Sequence, residues 1–358
     1  MNTFKSLIRV VLALILLTSF FFWSCDNDGN SKPINTSKEK AAEAEENIKK
    51  NSVEIDKRLT GEGLFHVGII QFVQHSALDS VKLGIIESFE NAGFIKDENL
   101  EINYQNAEGD SQKCQAIINE FIEDDLDLII AIATPAAEAA GEQKDIPVVF
   151  AAVTEPKVAG LVETWETPNT NLTGVSDLTP VEALLDIALG AMLEAKNIGV
   201  IYNDAEINSV VQVEHSREIA KSLNINIIEK QASDLEEVKL MSEKLAQIAD
   251  IVWLPTDNTV LAGIEPLINI MNEHNIPVVG ASKAFAKEGA IYATGYDYFI
   301  IGLQAGDIAI DILSDTDPAQ IPVQTPSDIG IAININAAKE IGYQIPFEMM
   351  LIADEVYY

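Results

Sequence analysis

Polar residues collect at the points where short apolar runs end. Gln71-Phe72-Val73-Gln74-His75-Ser76-Ala77-Leu78-Asp79 follows one run, Ala133-Thr134-Pro135-Ala136-Ala137 a second and Val153-Thr154-Glu155-Pro156 a third. Further along, Tyr202-Asn203-Asp204, leading to Asn208-Ser209-Val210, and Pro255-Thr256-Asp257-Asn258-Thr259 hold equivalent positions. Helix starts with free N–H groups carry partial positive charge and suit a carboxylate. Thr134 before Pro135 reads as an N-cap followed by proline in the first turn, and Ser209, Thr256 and Asn258-Thr259 offer similar starts. Each also fits plain capping, and it is their accumulation that favours a shared cleft. Gly295-Tyr296-Asp297-Tyr298 sets an acid between aromatic rings, a pattern that pairs an ammonium while the rings stack on a side chain. The alternative is hinge packing, with Asp297 as a helix cap. His75 is either a hydrogen-bonding group of the cleft or an ordinary loop residue. Catalysis has no comparable support. His66, His75, His215 and His274 are far apart and no HxxxH or CxxC occurs, so no metal is expected. Neither GxSxG, GxxxxGK[ST] nor GxGxxG is present, and no nucleophile, base and orienter stand together. The expectation is binding without a cofactor and without enzyme activity.

Positioning those groups requires an alternation of strands and helices. The spacing predicts strands at His66–Gln71, Leu100–Tyr104, Leu128–Ile132 and Pro147–Ala151, separated by helices at Ala77–Ala92, Ser111–Glu123 and Pro135–Gln143. Nearly continuous apolar strands joined by helical crossovers imply a parallel sheet covered on both faces. The rhythm restarts with strands at Asn197–Tyr202, Asn226–Ile228, Ile251–Leu254 and Pro277–Gly280, and helices at Val210–Leu223, Asp234–Ile248 and Thr259–Glu273. A strand at Ala290–Thr294, a helix at Phe299–Leu313 and a strand at Ile329–Asn334 complete the chain. The fold class is α/β: two similar doubly wound parallel-sheet lobes joined by a hinge of several crossings. Residues 64–178 and 286–316 are expected in lobe 1, and residues 179–285 and 317–358 in lobe 2. In such sheets ligands bind beyond the carboxyl ends of the strands, where the polar clusters lie.

The N-terminus speaks to location. Lys5 and Arg9 precede the apolar run Val10–Trp23, which ends at Ser24-Cys25. That run is shorter than the about 20 apolar residues a membrane-spanning helix needs, and it reads as an export signal (residues 1–24) cleaved before a lipid-modified Cys25. An uncleaved anchor is the alternative, and it too leaves the globular part outside the cytoplasm. Residues 25–63 are polar, lack a sustained apolar stripe and are expected to form a tether. The formal net charge is −33, and removing the signal makes it more negative, because Lys5 and Arg9 leave and no acid does. Such a surface repels nucleic acid and anionic headgroups. With Cys25 acylated, Cys114 has no disulfide partner and reads as a small core residue.

The residues taken together resemble a known family. Val67-Gly68-Ile69-Ile70-Gln71 with His75-x-Ala77-Leu78-Asp79, Ala131 to Ala137, Val148 to Thr154 and Asn171-Leu172-Thr173-Gly174-Val175-Ser176-Asp177 are similar to the substrate-binding lipoproteins of ABC transporters, in the branch that includes tryptophan-binding proteins. Ile198 to Asn203, Asn208-Ser209, Pro255 to Thr259 and Gly295 to Tyr298 continue the likeness, which covers about residues 64–346. Ser76 stands where proline is common, and Glu155 where Asp is frequent. The resemblance implies a type I periplasmic-binding fold, a monomer, and delivery of an aromatic amino acid, tryptophan before others, to an ABC permease and its ATPase. It implies a ligand carboxylate near Thr134, Pro135, Ala136 and the lobe 2 starts, an ammonium near Asp297, and a side chain among Phe72, Tyr296 and neighbours. Gln71, His75, Asp79, Thr154 and Asp257 complete the candidate set. A sensor domain signalling to a membrane partner without transport is the alternative. A repressor with similar lobes is disfavoured, since its DNA-binding segment would fall where the export signal and acidic tether lie.

Overall fold

The computed structural model describes residues 64–358, except residues 183–184, 186–189 and 191–194. The expected export signal, Cys25 and the tether lie outside the described residues. Lobe 1 opens with β1 (Phe65–Gln71), α1 (Ser76–Asn91), β2 (Leu100–Asn106) and α2 (Ser111–Glu123). It continues with β3 (Leu128–Ile132), α3 (Thr134–Gly141), β4 (Val148–Ala151) and β5 (Leu172–Val175). The five strands are parallel in the order β2-β1-β3-β4-β5. Every residue of β3 and β4 is buried, as a strand covered on both faces requires. Cys114 is fully buried on α2, and that burial pushes its thiol up to about 12.

Lobe 2 holds β6 (Asn197–Tyr202), α4 (Ile207–Leu223), β7 (Asn226–Gln231), α5 (Leu235–Leu245) and β8 (Ile251–Leu254). Next come α6 (Asn258–Ala262), α7 (Ile264–Glu273), β9 (Val278–Gly280), α8 (Lys283–Lys287) and β10 (Tyr292–Gly295). The chain then forms α9 (Tyr298–Leu313), β11 (Gly330–Asn334), α10 (Ile335–Glu340), α11 (Phe347–Ile352) and β12 (Glu355–Tyr357). The second sheet runs β12-β11-β10-β9-β8-β6-β7. One apolar cluster on it includes Leu254, Leu267, Met271 and Phe285, and another includes Trp253, Tyr292 and Met349. In both sheets the strand order reverses beside the first strand of the lobe. The loops after β1 and β3 therefore face a crevice from one side, and those after β6 and β8 from the other.

Four expectations need correction. The strand after residue 290 was expected in lobe 1, yet β10 pairs with β9 in the second sheet, with Tyr292 opposite Val279 and Ala293 opposite Gly280. Apolar periodicity marks a strand without naming its neighbour, and the short α8 crossover sets β10 beside β9. The boundary expected at residue 286 thus moves to Tyr296-Asp297, and α9 alone returns to lobe 1. The return to lobe 2 also comes later than residue 317. Thr173 Oγ1 donates to the Ile321 carbonyl at 2.7 Å and Gln324 N to that of Gly174 at 2.9 Å, which holds this stretch along β5. The second sheet is mixed rather than parallel, because β11 comes back from lobe 1 and runs antiparallel to β10. Finally, the single helix expected over 259–273 is two, α6 and α7. Pro266 has no N–H and its ring crowds the carbonyl four residues back, so the helix breaks at Gly263.

Helices α1 and α9 pack at very close range through glycine. A Cβ on Gly84 would overlap the Phe299 carbonyl oxygen, and one on Gly302 would overlap that of Val81. Ser88 Oγ donates to Asp307 Oδ1 at 2.6 Å across the same seam. Because α9 follows directly on a hinge strand, this seam locks the hinge to lobe 1. Replacing Gly302 with Ala is expected to destabilise the protein by about 1–3 kcal/mol through overpacking, measured by urea unfolding. Unchanged stability would show that the seam relaxes freely.

Candidate functional site

The loops after β1, β6 and β8, the end of β4 and the two chain crossings at Asp177 and Tyr298 meet around one small cavity. Its lining includes His75, Leu78, Ala152, Thr154 and Asp177 on the lobe 1 and hinge side, and Asn208, Thr256, Asp257, Asn258, Leu261, Ser282 and Phe285 on the lobe 2 side. Tyr298, the first residue of α9, completes it. The enclosed space is only about 10 Å³, because the lobes touch directly. His75 Nε2 lies 3.2 Å from Asn258 Oδ1, and the Thr154 and Thr256 hydroxyls are 3.0 Å apart. At the rim, Ser76 Oγ donates to Glu288 Oε1 at 3.2 Å.

The hydrogen bonds fix proton positions. His75 caps α1 by accepting from Leu78 N–H through Nδ1, at 3.4 Å, so its proton sits on Nε2 and is donated to Asn258. Burial holds the imidazole down at about 4, against weaker upward pulls from the Asn258 hydrogen bond and the charge of Asp79. Thr154 donates to Asp177 Oδ1 at 2.8 Å, and the Thr256 hydroxyl has two acceptors within reach, Thr154 Oγ1 at 3.0 Å and Gln212 Oε1 at 3.3 Å. Tyr298 donates to Asp177 Oδ2 at 2.6 Å. Burial raises the Asp177 carboxyl above its ordinary range, and those two donors partly oppose the rise. Among the described residues lining the cavity there is no Lys or Arg.

Lobe 2 contributes a second knot of acids. Glu206 accepts from Asn258 N (3.0 Å) and Nδ2 (2.6 Å), from Thr259 N (2.9 Å) and Oγ1 (2.7 Å), and from Asn208 Nδ2 (3.3 Å). Asp257 caps α6 by accepting from Val260 N at 2.8 Å, and also takes Asn203 N at 2.7 Å. Burial, and after it the negative charge of Glu206, push the Asp257 carboxyl well above its ordinary value.

The sequence-based candidates separate into groups. His75, Thr154, Thr256, Asp257 and Asn258 come together at the cavity. Thr134, Pro135 and Ala136 open α3 beyond the cavity wall, with Ala133 rather than Thr134 as the N-cap, at φ 81. Thr134 Oγ1 is buried without a partner, and among the described residues the Thr134 and Ala136 N–H groups have no acceptor. The expected free helix start at Asn258-Thr259 is not free, because the Glu206 carboxylate already occupies it. Ser209 is wholly buried behind that network. Gln71 and Asp79 brace the β1–α1 loop instead: Gln71 Nε2 donates to Asp79 Oδ1 at 3.0 Å and to the Val73 carbonyl at 2.9 Å. Phe72 is core. Tyr296 and Asp297 line a different groove of about 240 Å³, shared with Lys283, Lys287 and Tyr357. Asp297 is exposed and caps α9 through Phe299 N at 2.9 Å. The hinge acid that faces the cavity is Asp177, and the hinge tyrosine there is Tyr298. Reading for apolar runs misses Asp177 because the strand before it, Leu172-Thr173-Gly174-Val175, is interrupted by Thr and Gly and has no continuous apolar stretch. Glu206 carried one signal, an acid immediately before a helix start.

Two α/β lobes closed over a polar cavity at their strand ends define a clamp-type binding protein. The chain matches the ABC transporter substrate binding protein family over residues 66–357 and belongs to it. It is 33% identical to a tyrosine-binding protein of Clostridioides difficile (strain R20291), over 99% of this chain and 96% of that one. An L-Trp complex of an ABC domain from Streptococcus pneumoniae superposes with a TM-score of 0.79 at 29% identity, covering 82% of this chain and all of that one. A ligand-free, open substrate binding protein with adhesive properties from Clostridium difficile gives 0.63 at 36% identity, covering 82% and 99%. The more similar sequence superposes less well, and the direct contacts between lobes account for this: the present structure is closed.

Neutral His75 gives the fold a pH signature. Its folded value is depressed, so its contribution to stability is complete above the ordinary value of 6.5 and is lost as pH falls from there towards about 4. His75→Asn keeps a capping side chain but does not titrate. The unfolding free energy of the wild type relative to His75→Asn is expected to drop by up to about 2 kcal/mol between about pH 7 and pH 5. A constant difference over that range would mean that His75 is not held neutral.

Proposed function

We propose that this protein is the extracytoplasmic receptor of an ABC importer, anchored by a lipid on Cys25, that captures an aromatic amino acid between its lobes and hands it unchanged to a permease. The observation that carries this reading is the superposition on the L-Trp complex, over essentially the whole globular part. The name of the Clostridioides difficile relative, a tyrosine-binding protein matched nearly end to end, supports the same ligand class. The chemistry of the cleft agrees. An unpaired Thr134 hydroxyl and two unpaired N–H groups at the start of α3 suit a carboxylate. Leu78, Leu261, Phe285 and the ring of Tyr298 offer apolar surface to a side chain.

Ligand entry requires the lobes to part, which breaks the His75–Asn258 and Thr154–Thr256 contacts. Closure around a solute sets it between these same groups, and the closed shape is the form presented to the permease. Binding energy enters only through interactions that the closed state makes and the open state lacks. The family is one of substrate binding, so release without reaction is the expected outcome.

A thermal-shift and calorimetry screen of refolded protein against amino acids and other small solutes tests the ligand class. At 100 times its dissociation constant, L-tryptophan or L-tyrosine should add about 2.7 kcal/mol of stability. Stabilisation by a non-aromatic solute alone would discard the assignment. Thr134→Val should weaken binding of the same amino acid by about 1.5–3 kcal/mol, the worth of a hydrogen bond to a charged group. Unchanged affinity would move the carboxylate elsewhere.

A further inference from the structure

Resting on the amino-acid reading, we propose that the ligand's ammonium group bridges the lobes, held by Asp177 from the hinge and by the side-chain carbonyl of Asn208 from lobe 2. Both residues line the same cavity. Asn208 is 2% exposed, and its Oδ1 is a buried acceptor without a donor. The orientation of its amide is set by its surroundings. Nδ2 lies 2.6 Å from the Thr256 carbonyl oxygen and 3.3 Å from Glu206 Oε2, both of which only accept, so a flipped amide would press oxygen against oxygen. The carbonyl is thereby the free end of the side chain. An unpaired buried carbonyl costs free energy that a donor entering the cavity recovers.

Asp177 presents the complementary need. Each of its oxygens accepts one hydroxyl, from Thr154 and from Tyr298, leaving a lone pair on each for a further donor. The cavity lining supplies no cation to balance it, and His75 is neutral. A cation that satisfies both a buried carboxylate and an amide carbonyl, in a site with acidic Glu206 and Asp257 behind it, is an ammonium brought by the ligand. A carboxylate in the same position would face the Asp177 carboxylate and the Asn208 carbonyl oxygen. The arrangement therefore orients the solute, ammonium towards the hinge and lobe 2, carboxylate towards α3, and ties closure to the presence of a primary amine. It also replaces Asp297, whose carboxylate is occupied as a cap and faces solvent.

The test compares calorimetric affinities of the full-length protein for L-tryptophan and L-tyrosine with those for the matching acids that lack the amine, indole-3-propionate and 3-(4-hydroxyphenyl)propionate. The wild type should favour the amino acid by about 100-fold or more. Asp177→Asn, Asn208→Leu and Asn208→Ser should each shrink that ratio about tenfold or more, whereas general damage to the fold would weaken both ligands and leave the ratio intact. An unchanged ratio in the Asn208 variants overturns the assignment of Asn208, and one in Asp177→Asn overturns that of Asp177. Should a variant fail to fold, the wild type alone decides, since equal affinity for amine and des-amino ligands overturns the bridge. A wild type that binds neither L-tryptophan nor L-tyrosine removes the amino-acid reading, and the bridge with it.

Discussion

Glu206 is buried to within 1% of full exclusion from solvent, and the cleft side of lobe 2 is built around it. Its carboxylate gathers the first N–H groups of α6, the side chains of Asn258 and Thr259, and the amide of Asn208. A negative charge at a helix start is favourable, and five donors compensate for much of its lost hydration. Everything lobe 2 offers the cavity follows from that bond set. Asn258 is turned so that its oxygen meets His75, Asn208 so that its carbonyl stays free, and the α6 start is filled by the protein's own anion. Neighbouring Asp257 is raised by burial and, after it, by the like charge of Glu206.

That anionic half-site sets the direction of recognition. Type I clamps present two facing sets of helix starts, and symmetry suggests that both would attract the ligand's carboxylate. Here the symmetry is broken by charge. The α3 start in lobe 1 keeps unpaired donors, while the α6 start in lobe 2 has none to spare. Lobe 2 offers the unpaired carbonyl of Asn208, the acceptor proposed to take the amine of a zwitterion. The hinge enters the site directly: Asp177 lies just beyond β5 and Tyr298 begins α9, and their 2.6 Å bond joins two of the chain crossings. Because Thr154 links Asp177 to Thr256, the closing of the lobes and the hydrogen bonding of the hinge acid form one connected network.

The seam between α1 and α9 gives the moving parts a fixed reference. Helices that approach through Gly84 and Gly302 have no slack for side chains to repack, so α9 moves with lobe 1 although it follows a lobe 2 strand. Bending is thereby confined to a few residues at each crossing, including Tyr296 and Asp297.

How much of this was legible beforehand depends on the distance over which the deciding force acts. Strand and helix identity, the alternation that makes an α/β fold and the repetition that makes two lobes follow from local apolar periodicity, because burial on one face or two leaves its period in the chain. The candidates His75, Thr154, Thr256, Asp257 and Asn258 were also visible, since polar residues that end apolar strands must lie at the sheet's carboxyl edge. Tertiary structure alone decided which sheet β10 joins, since pairing depends on neighbours distant in the chain. It decided that Asp297 caps a helix while Asp177, from a crossing far earlier in the chain, faces the cavity. And it decided that the promising helix start at Asn258 was already occupied, because the carboxylate that fills it comes from Glu206, at the end of another strand. Sequence alone determined the kind of clamp and the edge at which it binds. The polarity of its grip was decided in three dimensions, where buried charges separated in sequence come close enough to compete for the same donors.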